Sequence, residues 1–143
     1  MDEVTATSDT CPVELVTGQT ITLYRTHVVK TTAVDEKNVN QTIYTYTEYR
    51  FKPGEYEAMC YGTLPQGCEW SEDLHERFRN TQHRKTDDLY NEAYRCRRIA
   101  TDDETGTAWD AYITALDEWN AQVTALASTF STDVPELPQK PAA

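Results

Sequence analysis

Apolar residues recur with one period in the last third of the chain and with another near its start, and the change of period divides the sequence. From Thr107 to Phe130 they fall at Trp109, Tyr112, Leu116, Trp119, Val123, Leu126 and Phe130. That heptad spacing predicts a long helix with a single apolar seam. Ile113 and Ala127 widen the stripe, while Asp110, Thr114, Asp117, Asn120, Gln122 and Ser128 form a wettable back. Thr107 is the expected N-cap, with Asp110 completing a capping box; Gly106 is the expected break before it, and Pro135 stops the helix continuing. Residues 39–51 instead alternate: Ile43, Thr45, Thr47, Tyr49 and Phe51 on one side, Tyr44, Tyr46, Glu48 and Arg50 on the other. Residues 20–34 carry Ile21, Leu23, Val28 and Val29 among β-branched threonines, and Asp35-Glu36-Lys37-Asn38 supplies turn residues. An antiparallel hairpin over 20–51 is expected. Two strands alone are marginal in water, so they must lie on the helices, pair with the N-terminal segment or join a partner's sheet.

Between these patterns the chain reads as short helices. Pro53-Gly54 ends the hairpin, Glu55 to Tyr61 presents Tyr56, Met59 and Cys60, and a Gly62–Gly67 loop follows. Ser71 caps a helix whose Glu72 and Asp73 suit its positive end, with Leu74 and Phe78 inward. Thr86 caps the next, which opens on Asp87-Asp88, closes on Arg95, Arg97 and Arg98, and turns Leu89, Ala93, Cys96 and Ala100 inward. The two helices are either separate or one helix kinked near Lys85. Residues 1–19 read as an extended arm. In the tail, Pro135, Pro138 and Pro141 repeat with the polyproline II period, as a stiff exit or a strap along a partner or the chain itself. The expected fold class is α+β. A single domain over 20–130 holds the N-terminal antiparallel hairpin and three to four helices, the last long and heptad-patterned, between an extended arm (1–19) and a Pro-rich tail (131–143).

The chain has 143 residues, 38% hydrophobic, below the usual ~45–50%, so its core is modest and a second copy or another protein is expected to complete it. A net charge of −11 argues against nucleic acid and anionic membrane as partners. The charge is uneven: residues 77–98 hold seven basic and three acidic side chains. This strip is either a solvated helix face or a dock for an acidic protein surface. No signal peptide or membrane-spanning run is read at either end, and the cysteines are expected to stay reduced in a cytosol. Cys11, Cys60, Cys68 and Cys96 allow three pairings, of which Cys60–Cys68, flanking the glycine loop, is the candidate disulfide.

Candidate chemistry is thin. Cys60, Cys68, His75, His83 and Cys96 lie close in sequence, but their spacing fits no structural zinc pattern. A Cys60 nucleophile with His75 or His83 can be assembled only on paper, and there is no phosphate loop, nucleophile elbow or dinucleotide fingerprint. No catalytic residue, metal site or cofactor is assigned. The candidate interface residues are Trp109, Tyr112, Leu116, Trp119, Val123, Leu126 and Phe130 of the seam, Tyr44 and Tyr46 of the hairpin, and Arg95, Arg97 and Arg98. The seam serves either the chain's own helices or self-association.

A family pattern emerges over residues 95–141. Arg98-Ile99, Thr101-Asp102, Ala108-Trp109-Asp110-Ala111-Tyr112-Ile113-Thr114-Ala115-Leu116, then Phe130, Asp133-Val134, Pro138 and Pro141 stand in order. This resembles the C-terminal region of phage tail assembly chaperones and tail-fibre assembly proteins, with Asp103 and Leu137 where that family carries tryptophan. The resemblance implies a non-enzymatic bacteriophage tail protein, structural component or assembly factor, in the virion or in the host cytoplasm during assembly. Its partners would be other tail or tail-fibre proteins, or further copies of itself. The competing readings are a surface adhesion module stapled by a disulfide and a zinc-binding regulator.

Overall fold

A computed structural model describes residues 1–34, 36–37 and 39–142. The chain is α+β, with its strands first and its helices after. The strands are β1 (Asp2–Ser8), β2 (Leu15–Thr17), β3 (Thr22–Val34) and β4 (Asn40–Phe51); the helices are α1 (Glu55–Cys60), α2 (Glu72–Arg84), α3 (Asp87–Ile99) and α4 (Asp103–Ala125), closed by a 3-10 turn at Leu126–Ser128. By compactness they fall into two units. One comprises Met1–Met59 with Thr63–Glu69, the other Cys60–Gly62 with Trp70–Ala143.

In the first unit the hairpin is present, and the expected N-terminal arm is part of its sheet. The strand order is β1-β4-β3-β2, all antiparallel. β1 pairs along β4 from Asp2↔Arg50 to Ser8↔Tyr44. β2 covers only Thr22 to Tyr24 of β3. The arm is therefore structured because Val4 and Ala6 alternate with threonine and serine beside an open β4 edge. Its two strands lie on opposite edges, about 14 Å apart at normal strand spacing. Residues 9–14 must cross between them. Val13 O accepts a hydrogen bond from Arg25 Nη1 (3.4 Å), which puts the crossing on the face that bears Arg25.

Directly paired residues share a face. Thr22, Tyr24, Tyr49 and Phe51 therefore point one way, with the Tyr24 and Tyr49 rings 5.9 Å apart, and Tyr56 of α1 meets Phe51 edge-on at 5.5 Å. Arg25, Tyr46, Glu48 and Arg50 point the other way, under the crossing, which accounts for the burial of Tyr46 and Glu48. Between Thr26 and Val29 β3 holds one extra residue opposite β4, and His27 takes φ +52° there. This bulge reverses the facing of the strand beyond it. Of the expected turn, Asp35 and Asn38 lie outside the described residues, and Glu36 and Lys37 form a turn.

In the second unit α2, α3 and α4 pack together. Ser71 caps α2, its Oγ accepting from Leu74 N (3.3 Å), and Leu74 and Phe78 are buried as expected. Gly62 has φ +103°, and a Cβ there would come within 3.2 Å of the Phe78 ring. The break near Lys85 is real, so α2 and α3 are two helices. Thr86 precedes α3 without capping it; its hydroxyl donates back to His83 O (2.7 Å).

The limits of α4 differ from expectation at both ends. Its N-cap is Asp102, which accepts from Thr105 N (2.7 Å), and Asp103 and Glu104 occupy the positive end. Thr107 is not the cap, and Gly106 lies inside the first turns, buried. An added Cβ at Gly106 would come within 2.8 Å of the Arg97 guanidinium, whose Nε donates to Asp110 (2.8 Å). At the other end the helix tightens at Leu126 and stops before Phe130, whose φ of +52° is incompatible with continuation. After it, residues 131–142 form no helix or strand.

Candidate contact surfaces

Five seam residues, Trp109, Tyr112, Leu116, Trp119 and Val123, are buried in the chain's own second unit. Trp109, Tyr112 and Leu116 cluster with Ala93 of α3, backed by Leu89, Tyr90, Cys96 and Ile113. As exposed interface residues they are therefore corrected: α3 and α4 already satisfy the apolar stripe. Leu126 is half-buried, and Phe130, 38% exposed, lies 5.3 Å from the His75 ring.

Asn120, read from sequence as part of the wettable back, is the hub that joins α4 to the α2–α3 corner. His83 Nδ1 donates to its Oδ1 (2.7 Å), while its Nδ2 reaches Thr86 Oγ1 and Tyr90 OH (both 3.1 Å). Tyr90 OH donates onward to Asp117 (2.6 Å), and burial together with that carboxylate pushes its pKa up to about 12. The signal for Asn120 was a lone amide next to Trp119, which periodicity cannot tell from an exposed one.

His75 is wholly buried. Its Nε2 donates to Ser131 O (2.8 Å), since a carbonyl only accepts, and among the described residues Nδ1 has no partner. Trp70, Phe78 and Phe130 surround the ring at 5.3–5.5 Å, and burial followed by the nearby Arg79 charge holds its pKa below the ordinary value. Three contacts pin the tail to this unit: Ser131 O on His75, Pro135 O on Trp119 Nε1 (2.8 Å), and Lys140 on Glu92. The tail is thus a strap on the chain's own surface. Beside it Ala108, Ala111, Tyr112 and Ala115 meet Pro138 and Pro141 around a groove of about 460 Å³.

Of the basic strip, Arg95, Arg97 and Arg98 are exposed on α3, Arg97 paired to Asp110 at the surface. Tyr94 and Ile99, 56% and 66% exposed, stand among them, so this outward face mixes charge with uncovered apolar area. In the first unit Tyr46 is buried, with the Arg25 guanidinium 5.9 Å from its ring centre, and Tyr44 is half-buried. Neither tyrosine is an open contact. Glu48 lies between Arg25 and Arg50 at 2.9 and 2.8 Å. Burial raises its pKa, but the two guanidinium hydrogen bonds and charges together outweigh that and leave it lowered.

The open apolar surface of this unit lies further along the hairpin. Val28 and Val29 lie where β1 still flanks β4, and past Ser8 β3 and β4 continue as a two-stranded ribbon that carries Val34 and Ile43, with Val39 just before β4; all five are exposed, by 37–59%. Sequence reading placed these residues in strands but did not single them out, because alternation does not reveal that a neighbouring strand ends early.

Cys11, Cys60, Cys68 and Cys96 all stand as free thiols, Cys60 in the second unit and Cys68 in the first. Among the described residues no three or more His, Cys, Asp or Glu side chains gather as metal ligands, and no helix is long and apolar enough to cross a membrane. No family model, curated protein or solved structure matches the chain.

Proposed function

We propose that the chain is a non-enzymatic bacteriophage tail protein, a structural component of the tail or tail fibre or an assembly factor for it. It acts by contact with other tail proteins and with its own copies, in the virion or in the host cytoplasm during assembly. The observation that carries this reading is the exposed ribbon. Five β-branched side chains left uncovered along the outer half of the hairpin are a surface that another protein covers. The exposed Tyr94 and Ile99 among the arginines of α3 offer a second such face, suited to an acidic partner. The motif order over residues 95–141 supplies the tail context. A net charge of −11 keeps nucleic acid and anionic membrane out of the reading.

Quantitative mass spectrometry of purified particles and of fibre-assembly intermediates tests the proposal. The chain is expected in one or the other at a fixed ratio to a tail protein. Its absence from both would refute the reading.

A further inference from the structure

We infer that Val28–Val34 of β3 is a self-complementary sheet edge through which two copies of this chain pair antiparallel, joining their sheets across a two-fold axis. It assigns a surface to the self-contact in that reading but rests on strand geometry alone, so it holds or fails in solution independently of the tail context.

Beyond Tyr24 the outer edge of β3 has no strand on it among the described residues. The protection of that edge is confined to its base. There β2 covers Thr22 to Tyr24, Glu14 O accepts from Arg25 N (2.7 Å), and the bulge at His27 interrupts the ladder. From Val28 onward every residue of the strand is exposed, while its inner edge keeps an unbroken register with β4 from Val29↔Thr45 to Val34↔Asn40. Such an edge presents a row of outward N–H and C=O groups, and here its only blunting device is a single lysine, Lys30.

The occupant follows from the order of side chains. Val28-Val29-Lys30-Thr31-Thr32-Ala33-Val34 reads apolar, apolar, polar, polar, polar, apolar, apolar in either direction. An antiparallel copy centred on Thr31 sets Val28 against the partner subunit's Val34, Val29 against its Ala33, Lys30 against its Thr32, and Thr31 against its Thr31. Apolar side chains then meet apolar ones, a threonine pair marks the axis, and no two like charges stand opposite. The same patch serves both copies, as a two-fold interface demands. The other free edge, β1, fits worse: Asp2 and Glu3 of a copy would lie on valine or alanine at either end of this stretch.

The test uses the full chain and the charge at the axis. Sedimentation from about 1 μM to about 500 μM should show the wild type in reversible monomer–dimer exchange. Thr31 is exposed, so Thr31→Lys and Thr31→Glu should fold as the wild type does, yet each should weaken the dimer at least about tenfold by placing like charges face to face. An equimolar mixture of the two should dimerise within about threefold of wild type, since opposite charges then meet. In the wild type alone, amide exchange within 28–34 should slow as concentration rises while exchange within 2–8 does not. A wild type that stays monomeric throughout, variants that dimerise as well as wild type, or a mixture no tighter than its components would each overturn the inference. Should a variant fail to fold, unchanged wild-type exchange at 28–34 on concentration would overturn it alone.

Discussion

Replacing Leu116 with alanine asks whether the α4 seam is the chain's own core or a surface awaiting a partner. Leu116 is fully buried, packed with Ala93, Trp109 and Tyr112, so the change removes buried methyl groups from a closed site. Comparable truncations cost about 2–5 kcal/mol, the transfer loss plus a cavity that relaxes only in part. Helix propensity does not add to the cost, because alanine is at least as good a helix former as leucine. We expect a loss of about 3 kcal/mol, a large part of the ~5–15 kcal/mol that holds a domain together, and a fall of roughly 15 °C in melting temperature. All three tryptophans lie in the second unit, so their fluorescence during urea unfolding reports on it directly. The comparison belongs in a Thr31→Glu background, which removes the β3 edge from association, and at several protein concentrations. An internal core predicts a midpoint that falls by the stated amount and does not move with concentration. A loss below about 1 kcal/mol, or a midpoint that rises steeply with concentration, would refute the reasoning.

Four further outcomes follow from the same structure. His75 is buried neutral with its pKa below the ordinary value, so the unfolded chain takes up its proton first as pH falls. Stability of the second unit should therefore decline from about pH 6.5 toward the depressed folded value, by at most about 1.4 kcal/mol per pH unit, and His75→Gln should flatten that slope in tryptophan-monitored unfolding. Glu48→Ala strands the largely buried Arg25 guanidinium and should cost about 3 kcal/mol, read as faster amide exchange across β3 and β4. Gly106→Ala forces only the flexible end of Arg97 aside and breaks an exposed ion pair, while alanine favours the helix; melting should show it neutral to about 1 kcal/mol stabilising. Thiol titration of the non-reduced, denatured chain should find all four cysteines free.

Legibility from sequence followed the range of the interactions. The hairpin, the Ser71 cap, the burial of Leu74 and Phe78, and the inward side of α4 rest on period and local chemistry, and all appear in the structure. What covers the α4 seam is a non-local question, and α3 answers it where the period could not. The place of the arm stays open in the sequence for the same reason: pairing with the hairpin is one of three options there, and it is the one found. Asp2–Ser8 has little reason to be a strand until β4, some forty residues away, offers an edge. The start of α4 was a local misreading: Asp102 followed by Asp103 and Glu104 is a stronger start signal than Thr107, and a glycine in the first turns does not exclude a helix. Tyr44 and Tyr46 looked available because alternation shows two faces, whereas residues 9–14 cross one of them. The ribbon went unnoticed because its exposure depends on where β1 and β2 stop.

The central claim is that this chain works through the outside of its ribbon and of α3 while the α4 seam stays internal. Amide exchange on the isolated chain, compared with the same chain in purified particles or fibre-assembly intermediates, measures that directly. The account predicts new protection within 28–34 and 39–43 and along α3, with residues 109–123 unchanged. Protection gained across 109–123, or none gained on the ribbon, would contradict it.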